Sequence, residues 1–337
     1  MNFFAGIALA LFPVLFFLAG LYLMDSFRLL RLRSVAGSLA AGAFAAGADW
    51  LINGYLLQSL NMGPDSYAQW LAPVLEETLK GVFLVYLNRK RKIGFFVDSA
   101  IHGFAIGAGF AFVENLVYFS ALGAGNLFVW FIRGFGTAMM HGGTTAIFGI
   151  LSKNLTDRHF EARIIDFLPG LAAAVLIHSF FNRFVLPPVL NTLVLLALFP
   201  LLIVLVFDRS EKSLRKWLGV GFDLDVKLLD TIIPGNIGDT KLGQYLHFLK
   251  ESFPGDIVAD MLCLLRVHLE LSVRAKGILM LSEAGFKVAR DAEIQSKFEE
   301  MEYLRKRIGK TGLLAISPFL HTSSRELWQW HLLKKNM

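Results

Sequence analysis

Two adjacent glutamates, Glu76 and Glu77, lie in an apolar run long enough to enter a bilayer, and a third, Glu114, lies inside the next such run. An ionised carboxylate in hydrocarbon costs several kcal/mol, so acids at that depth face a protein-lined or hydrated cavity and serve chemistry or transport. A glutamate there can take a proton from water, relay one, or hold a metal ion. Glu76 and Lys80 are four apart with the acid first, the better order for an ion pair on one helix face. Glu77 points about 100° away. The expectation is that one carboxylate, by spacing Glu76, can be held by the lysine while its neighbour faces something else.

The following apolar runs carry companions at helical spacing. Gly103, Gly107, Phe110 and Glu114 share one face, with Asn115 and Tyr118 beyond it. Arg133, Thr137, His141 and Thr144 line one side of the next run, and His178 and Asn182 stand four apart on the one after. Each feature has a plainer reading. The acid pair can mark a membrane interface near Trp70 and Pro73, small residues are common packing devices between membrane helices, and a single histidine can be hydrogen-bonded filler. Together they differ, because helices running in alternate directions place Asp49, Glu76, Glu77, Glu114 and His178 in the outer half of the bilayer, with His141 nearer the middle.

The four acids of that layer face only Lys80 and Arg133, unless Arg183 bends inward. The excess negative charge requires protonated carboxyls, charged histidines or a divalent metal. Asp98, His102 and Asp166 fall near the inner ends and read as interfacial or capping groups.

Seven apolar runs can position these residues: near 3–24, 35–56, 71–87, 98–119, 128–151, 165–186 and 190–207. A crossing needs about 20 residues. Arg28, Arg31 and Arg33 follow the first run and no basic residue precedes it, so it reads as a retained helix rather than a cleaved leader. The connections 25–34, 88–97, 152–164 and 208–217 carry 3, 4, 3 and 4 basic residues, whereas 53–70, 120–127 and 187–189 carry none. With positive charge inside, the N-terminus lies outside and the C-terminus in the cytoplasm.

The fold class expected is an all-α membrane bundle over 1–207 with a cytosolic helical domain over 208–337. In the latter, Ile257, Met261, Leu264, Leu265 and Leu269 lie at helical spacing within 256–284, and 288–307 is a charged helix candidate. The chain of 337 residues is 55% hydrophobic with 31 Phe, above the roughly 45–50% of soluble domains. Its lone Cys263 excludes an intrachain disulfide. The net charge of +6 contains no basic block suited to nucleic acid.

EExxK at Glu76, Glu77 and Lys80, FxxxE at Phe110 and Glu114, the helix-five His141 and HxxxN at His178 and Asn182 resemble the PrsW family of intramembrane proteases, within the CAAX prenyl endopeptidase superfamily. The prenyl-protease branch typically has EExxxR and a histidine where Glu114 stands, so the likeness is to the PrsW branch and argues against a prenylated substrate. The resemblance covers roughly 70–185. It implies a multi-pass protein of a bacterial inner membrane that cuts a membrane-anchored protein, relatives making the first cut in an anti-sigma factor.

The expected mechanism has Glu77, with Glu76, as general base on water. Glu114 and His141 position that water or a metal, His178 acts as acid or electrophilic donor, and Asn182 adds an oxyanion donor. Lys80, Phe110 and Arg133 support the site. Metal-free glutamate catalysis is the simplest reading, so no cofactor is required. Zinc on His141, His178 and Glu114 is the other, without an HExxH pair. A proton-coupled transporter and a non-catalytic scaffold are rival functions, although no inverted repeat is visible. Expected partners are a membrane-anchored protein substrate, the lipid bilayer, and a cytosolic partner for 208–337.

Overall fold

A computed structural model of the chain describes residues 2–334, apart from 26, 28, 29, 61, 124, 125, 160, 161, 184, 287–290 and 321–323. Arg28 and the first residues of the charged helix candidate at 288–307 therefore lie outside the described residues. The protein is helical throughout, with no strand among the described residues. It divides into two compact units, residues 1–210 and 211–337.

The seven expected membrane runs are all helical. In chain order they are α1 (Asn2–Leu23), α2 (Leu32–Ser59), α3 (Ala72–Arg89), α4 (Phe96–Leu122), α5 (Ala138–Thr156), α6 (Leu168–Asn182) and α7 (Pro188–Ile232). Five are long and apolar enough to cross a membrane by composition. The other two, α3 and α5, carry Glu76, Glu77 and Lys80 or His141 and Lys153, which lower their mean hydropathy.

Two wide turns enter these rods. Tyr67–Leu71 is π-helical and leads into α3, while Leu127–Phe131 and a π-helical stretch at Ile132–Thr137 lead into α5. Such turns insert an extra residue and are frequent beside functional sites. The run expected at 165–186 starts with a 3-10 turn at Ile164–Phe167 and ends earlier, at Asn182. The last run does not stop at 207: α7 continues unbroken to Ile232. The fall in apolarity at Asp208 and Arg209 ends the apolar stretch, but charged residues with long side chains are good helix formers, so the backbone continues.

α4 is the central rod of the first unit, buried from Val97 to Ala111. Its glycines admit neighbouring backbones. A Cβ on Gly107 would stand 2.1 Å from the carbonyl oxygen of His141 on α5, and one on Gly103 would stand 2.5 Å from that of Thr145. On the opposite side Gly109 meets Leu39 of α2 in the same way, at 1.9 Å. Membrane helices lack a hydrophobic drive to associate and rely on this close packing. The small-residue face expected on α4 is thus the seam that holds α5, and it sets the depth of His141.

His102, expected to be interfacial or capping, is buried within the bundle, its Nδ1 2.7 Å from the hydroxyl of Ser38 on α2. A helix-to-helix hydrogen bond accounts for it. Asp98 does cap, accepting from the amides of Gly94 and Phe95 at 2.8 and 3.1 Å. Asp166 accepts from the Arg163 amide at 3.0 Å at the start of the 3-10 turn.

The second unit is built from α8 (Lys241–Leu249), α9 (Gly255–Glu283), α10 (Ala292–Ile316) and α11 (Ser324–Lys334) together with the end of α7. Met261, Leu264, Leu265 and Leu269 of α9 are buried as their spacing predicts, against Leu242, Leu246, Ile294, Leu304 and Leu333. α10 extends beyond the expected 307 and kinks at Gly309, whose φ of 71° favours glycine. Asp225 and Lys276 form a buried ion pair at 2.6 Å, joined by the Ser272 hydroxyl at 2.6 Å.

Candidate active site

Lys80 anchors the polar layer. Its ammonium donates to Oε1 of Glu77 at 2.6 Å and to Nδ1 of His141 at 3.0 Å, and it lies 4.9 Å from the centre of the Phe110 ring. Both Lys80 and Glu77 are fully buried. The expected Glu76–Lys80 pair is therefore corrected: the lysine holds Glu77, three residues before it. Positions three and four apart are both neighbours on a helix, and His141, arriving from α5 over the glycine seam, draws the ammonium to the Glu77 side.

Glu77 is saturated on one oxygen. Oε1 accepts from Lys80, from the Thr144 hydroxyl at 3.1 Å and from Nδ1 of His178 at 2.8 Å. This carboxylate lies behind the working surface. Glu76 is the one that faces the cavity. Its Oε2 has no hydrogen-bond partner and lies 3.8 Å from Nε2 of His178 and 3.9 Å from Nδ1 of His141. Glu114 approaches from α4, its Oε2 3.1 Å from Nε2 of His141 and 3.3 Å from Arg133. Arg133 also donates to Asn115 at 2.9 Å and covers the Tyr118 ring.

These bonds assign the tautomers. Neutral His178 donates its Nδ1 proton to Glu77, and neutral His141 donates its Nε2 proton to Glu114 while accepting from Lys80. Each ring then turns an unprotonated nitrogen toward Oε2 of Glu76. Three acceptors converge on one point, a geometry that calls for a proton donor or a cation.

They open on a cavity of about 570 Å³ lined by α2, the Tyr67–Leu71 turn, α3, α4, α5 and α6. Asp49, Glu76, Phe110, Glu114, Arg133, His141, His178 and Asn182 all line it, so these polar groups converge from separate helices, with Glu77 set behind them. Asn182 is placed differently from its expected oxyanion role: its amide donates to the Ala68 carbonyl at 2.9 Å, tying α6 to the wide turn. Arg183 does not bend inward. It stacks on Trp70 with 3.6 Å from guanidinium carbon to ring centre.

Sequence reasoning passed over Thr144 as a site residue, although it shares a side of α5 with His141. It also passed over Asn53 and Tyr67. Asn53 stands four after Asp49 and was findable on that spacing; Tyr67 sits in a π turn, which no helical spacing reveals.

The donor set suits a divalent metal. The ligand atoms of Glu76, His141 and His178 lie within 4.8 Å of one another, and a tetrahedral shell with bonds of about 2.0 Å separates its ligands by roughly 3.3 Å. Each histidine is backed on its other nitrogen by a carboxylate, as metal-binding histidines usually are. Lys80 shares Nδ1 of His141 and would yield it.

The model of a family described as PrsW family intramembrane metalloprotease matches residues 30–207, more than half of the chain. No curated protein and no solved structure matches. The chain belongs to the PrsW family. It is an intramembrane protease, a hydrolase of the membrane whose substrate is a protein embedded there.

Proposed function

We propose that this PrsW-family protease hydrolyses a peptide bond of a membrane-anchored protein at the cavity bounded by Glu76, His141 and His178, with Glu76 rather than Glu77 as the general base. The observation that carries this reading is that Glu76, with its unpartnered Oε2 near nitrogens of His141 and His178, lines the cavity, whereas Glu77, also unpartnered at Oε2, does not. A water that donates its hydrogens to Oε2 of Glu76 and Nε2 of His178 presents a lone pair to the cavity, where the substrate carbonyl enters. Glu76 takes the proton as the oxygen attacks. The proton then passes to the departing amide nitrogen.

Glu77, Lys80 and Thr144 fix the ring of His178, so that its second nitrogen stays aimed at the reacting atoms. Glu114 and Arg133 do the same for His141. Holding a base and its water in one geometry converts an encounter into a unimolecular step. Glu76, His141 and His178 are alternatively the residues that would hold a metal of the kind the family description implies, which when bound would polarise the carbonyl and acidify water in place of Glu76 acting as a free base.

Family resemblance supports an anti-sigma factor as the substrate class. The alternation of basic connections supports an outside N-terminus and a cytoplasmic C-terminus, and the family resemblance supports a bacterial inner membrane. The decisive experiment is cleavage of a reconstituted single-span substrate. Glu76→Gln is expected to lower the rate by about a thousandfold, the scale of removing an essential proton-transfer group, with the fold intact. A wild-type rate in that variant overturns the assignment.

A further inference from the structure

Three of the four acids of this site have a basic side chain within ion-pairing distance, although the two histidines facing Glu76 are neutral. Lys80 pairs with Glu77, Arg133 with Glu114, and Glu76 faces His141 and His178. Asp49 on α2 has none: among the described residues no lysine, arginine or histidine nitrogen lies within ion-pairing distance of it. Yet Asp49 is 7% exposed and stands in the cavity wall.

Its orientation is fixed from behind. Oδ2 accepts from the Asn53 amide at 2.7 Å, and the carbonyl of that amide accepts from the Tyr67 hydroxyl. Oδ1 is buried and has no donor. Lys80 bonds Glu77 and His141, while Arg133, whose Nη2 makes no hydrogen bond, bonds Asn115, pairs with Glu114 and covers the Tyr118 ring. A buried carboxylate without counter-charge is strongly unfavourable, so Asp49 is either neutralised by a proton or paired by a cation from outside the chain. Trp50 and Tyr67 line the same wall, and aromatic faces attract cations.

We propose that Asp49 is a specificity-determining residue that receives a lysine or arginine side chain of the substrate segment seated in the cavity. This rests on reading the cavity as the substrate cleft. Recognition of a cation here sets which residue of the segment lies next to Glu76, and so which bond is cut.

The test uses the full-length protein in nanodiscs, in the Glu76→Gln background to prevent turnover. Its ligands are fluorescent single-span peptides in which lysine, methionine or glutamate is moved one residue at a time along the span. At one register the lysine peptide is expected to bind about tenfold more tightly than the methionine peptide and the glutamate peptide more weakly still, a difference of the size a single charge pairing supplies. Adding Asp49→Asn should reduce the lysine preference to within about twofold, and Asp49→Glu should restore part of it.

Absence of a lysine-preferring register, or a preference that survives Asp49→Asn, overturns the proposal and leaves a backbone N–H or a proton as the partner of Oδ1. The glutamate comparison needs no Asp49 variant and holds if one misfolds. Cleavage of the same peptides by the enzyme with Glu76 intact is read separately. Lysine-dependent binding without any cleavage overturns the protease mechanism alone; cleavage without lysine preference overturns only the role of Asp49.

Discussion

Nδ1 of His178 lies 2.8 Å from Oε1 of Glu77, the same oxygen that Lys80 and Thr144 reach. One carboxylate oxygen thus orients a ring from α6, neutralises a cation on α3 and ties both to α5. The adjacent Glu76 is left with Oε2 in the cavity. The EE pair is therefore divided, one acid tied into the architecture and the other left facing the cavity, where the proposed chemistry would use it.

Removal of Glu77 is expected to unfold the site. Glu77→Leu leaves the Lys80 ammonium buried without its carboxylate, which costs about 3–5 kcal/mol. Combining it with Lys80→Met should recover most of that loss, whereas Glu76→Gln should shift stability by less than about 1 kcal/mol. Unfolding of each variant by denaturing detergent, followed by circular dichroism, measures all three.

Thr144→Val should be milder. It removes one hydroxyl bond to Glu77, worth about 1 kcal/mol, and loosens rather than abolishes the placement of His178. A several-fold fall in kcat with KM unchanged is the expected signature in the peptide-cleavage assay.

The glycine seam predicts a contrast. Gly107→Ala puts a methyl 2.1 Å from the His141 carbonyl oxygen, so α4 and α5 must separate at a cost of about 1–3 kcal/mol, with loss of activity as His141 withdraws. Gly37→Ala on α2 meets nothing within 4 Å and should stay within about 0.5 kcal/mol of wild type. Thermal unfolding and cleavage rates of the two variants check this.

Metal content follows from the donor set. Elemental analysis of protein purified without chelator should find one divalent ion per chain, lost in both Glu76→Gln and His178→Ala. Full activity in wild type freed of metal would instead leave those three side chains to hold water alone.

In the second unit Lys276→Met should strand the Asp225 carboxylate, again at about 3–5 kcal/mol. Adding Asp225→Leu should reverse much of it. Amide exchange across Gly255–Glu283 in the intact protein is the readout, since α9 forms the centre of that core.

The polar layer was legible because a charge inside an apolar run has few innocent explanations, and because Glu114, His141 and His178 each fall on the helix face that packs inward. The choice of Glu76 or Glu77 as the lysine's partner was not, since both spacings suit a helix and the decision lies with His141 on another rod. Asn182 has donors that suit an oxyanion site, but the Ala68 carbonyl that claims them belongs to a wide turn with no signature of its own. Similarly, the loss of apolarity at Asp208 marks where the apolar stretch ends and says nothing of where α7 ends.

The wide turns at Tyr67–Leu71 and Ile132–Thr137 constrain how this chain can vary. Each is one surplus residue in a rod; delete it and everything upstream pivots by about 100°, carrying Tyr67 from Asn53 in one case and Arg133 from Glu114 in the other. Insertions in the extramembrane joints should leave the enzyme competent, while a single-codon deletion inside either shaft should disarm it.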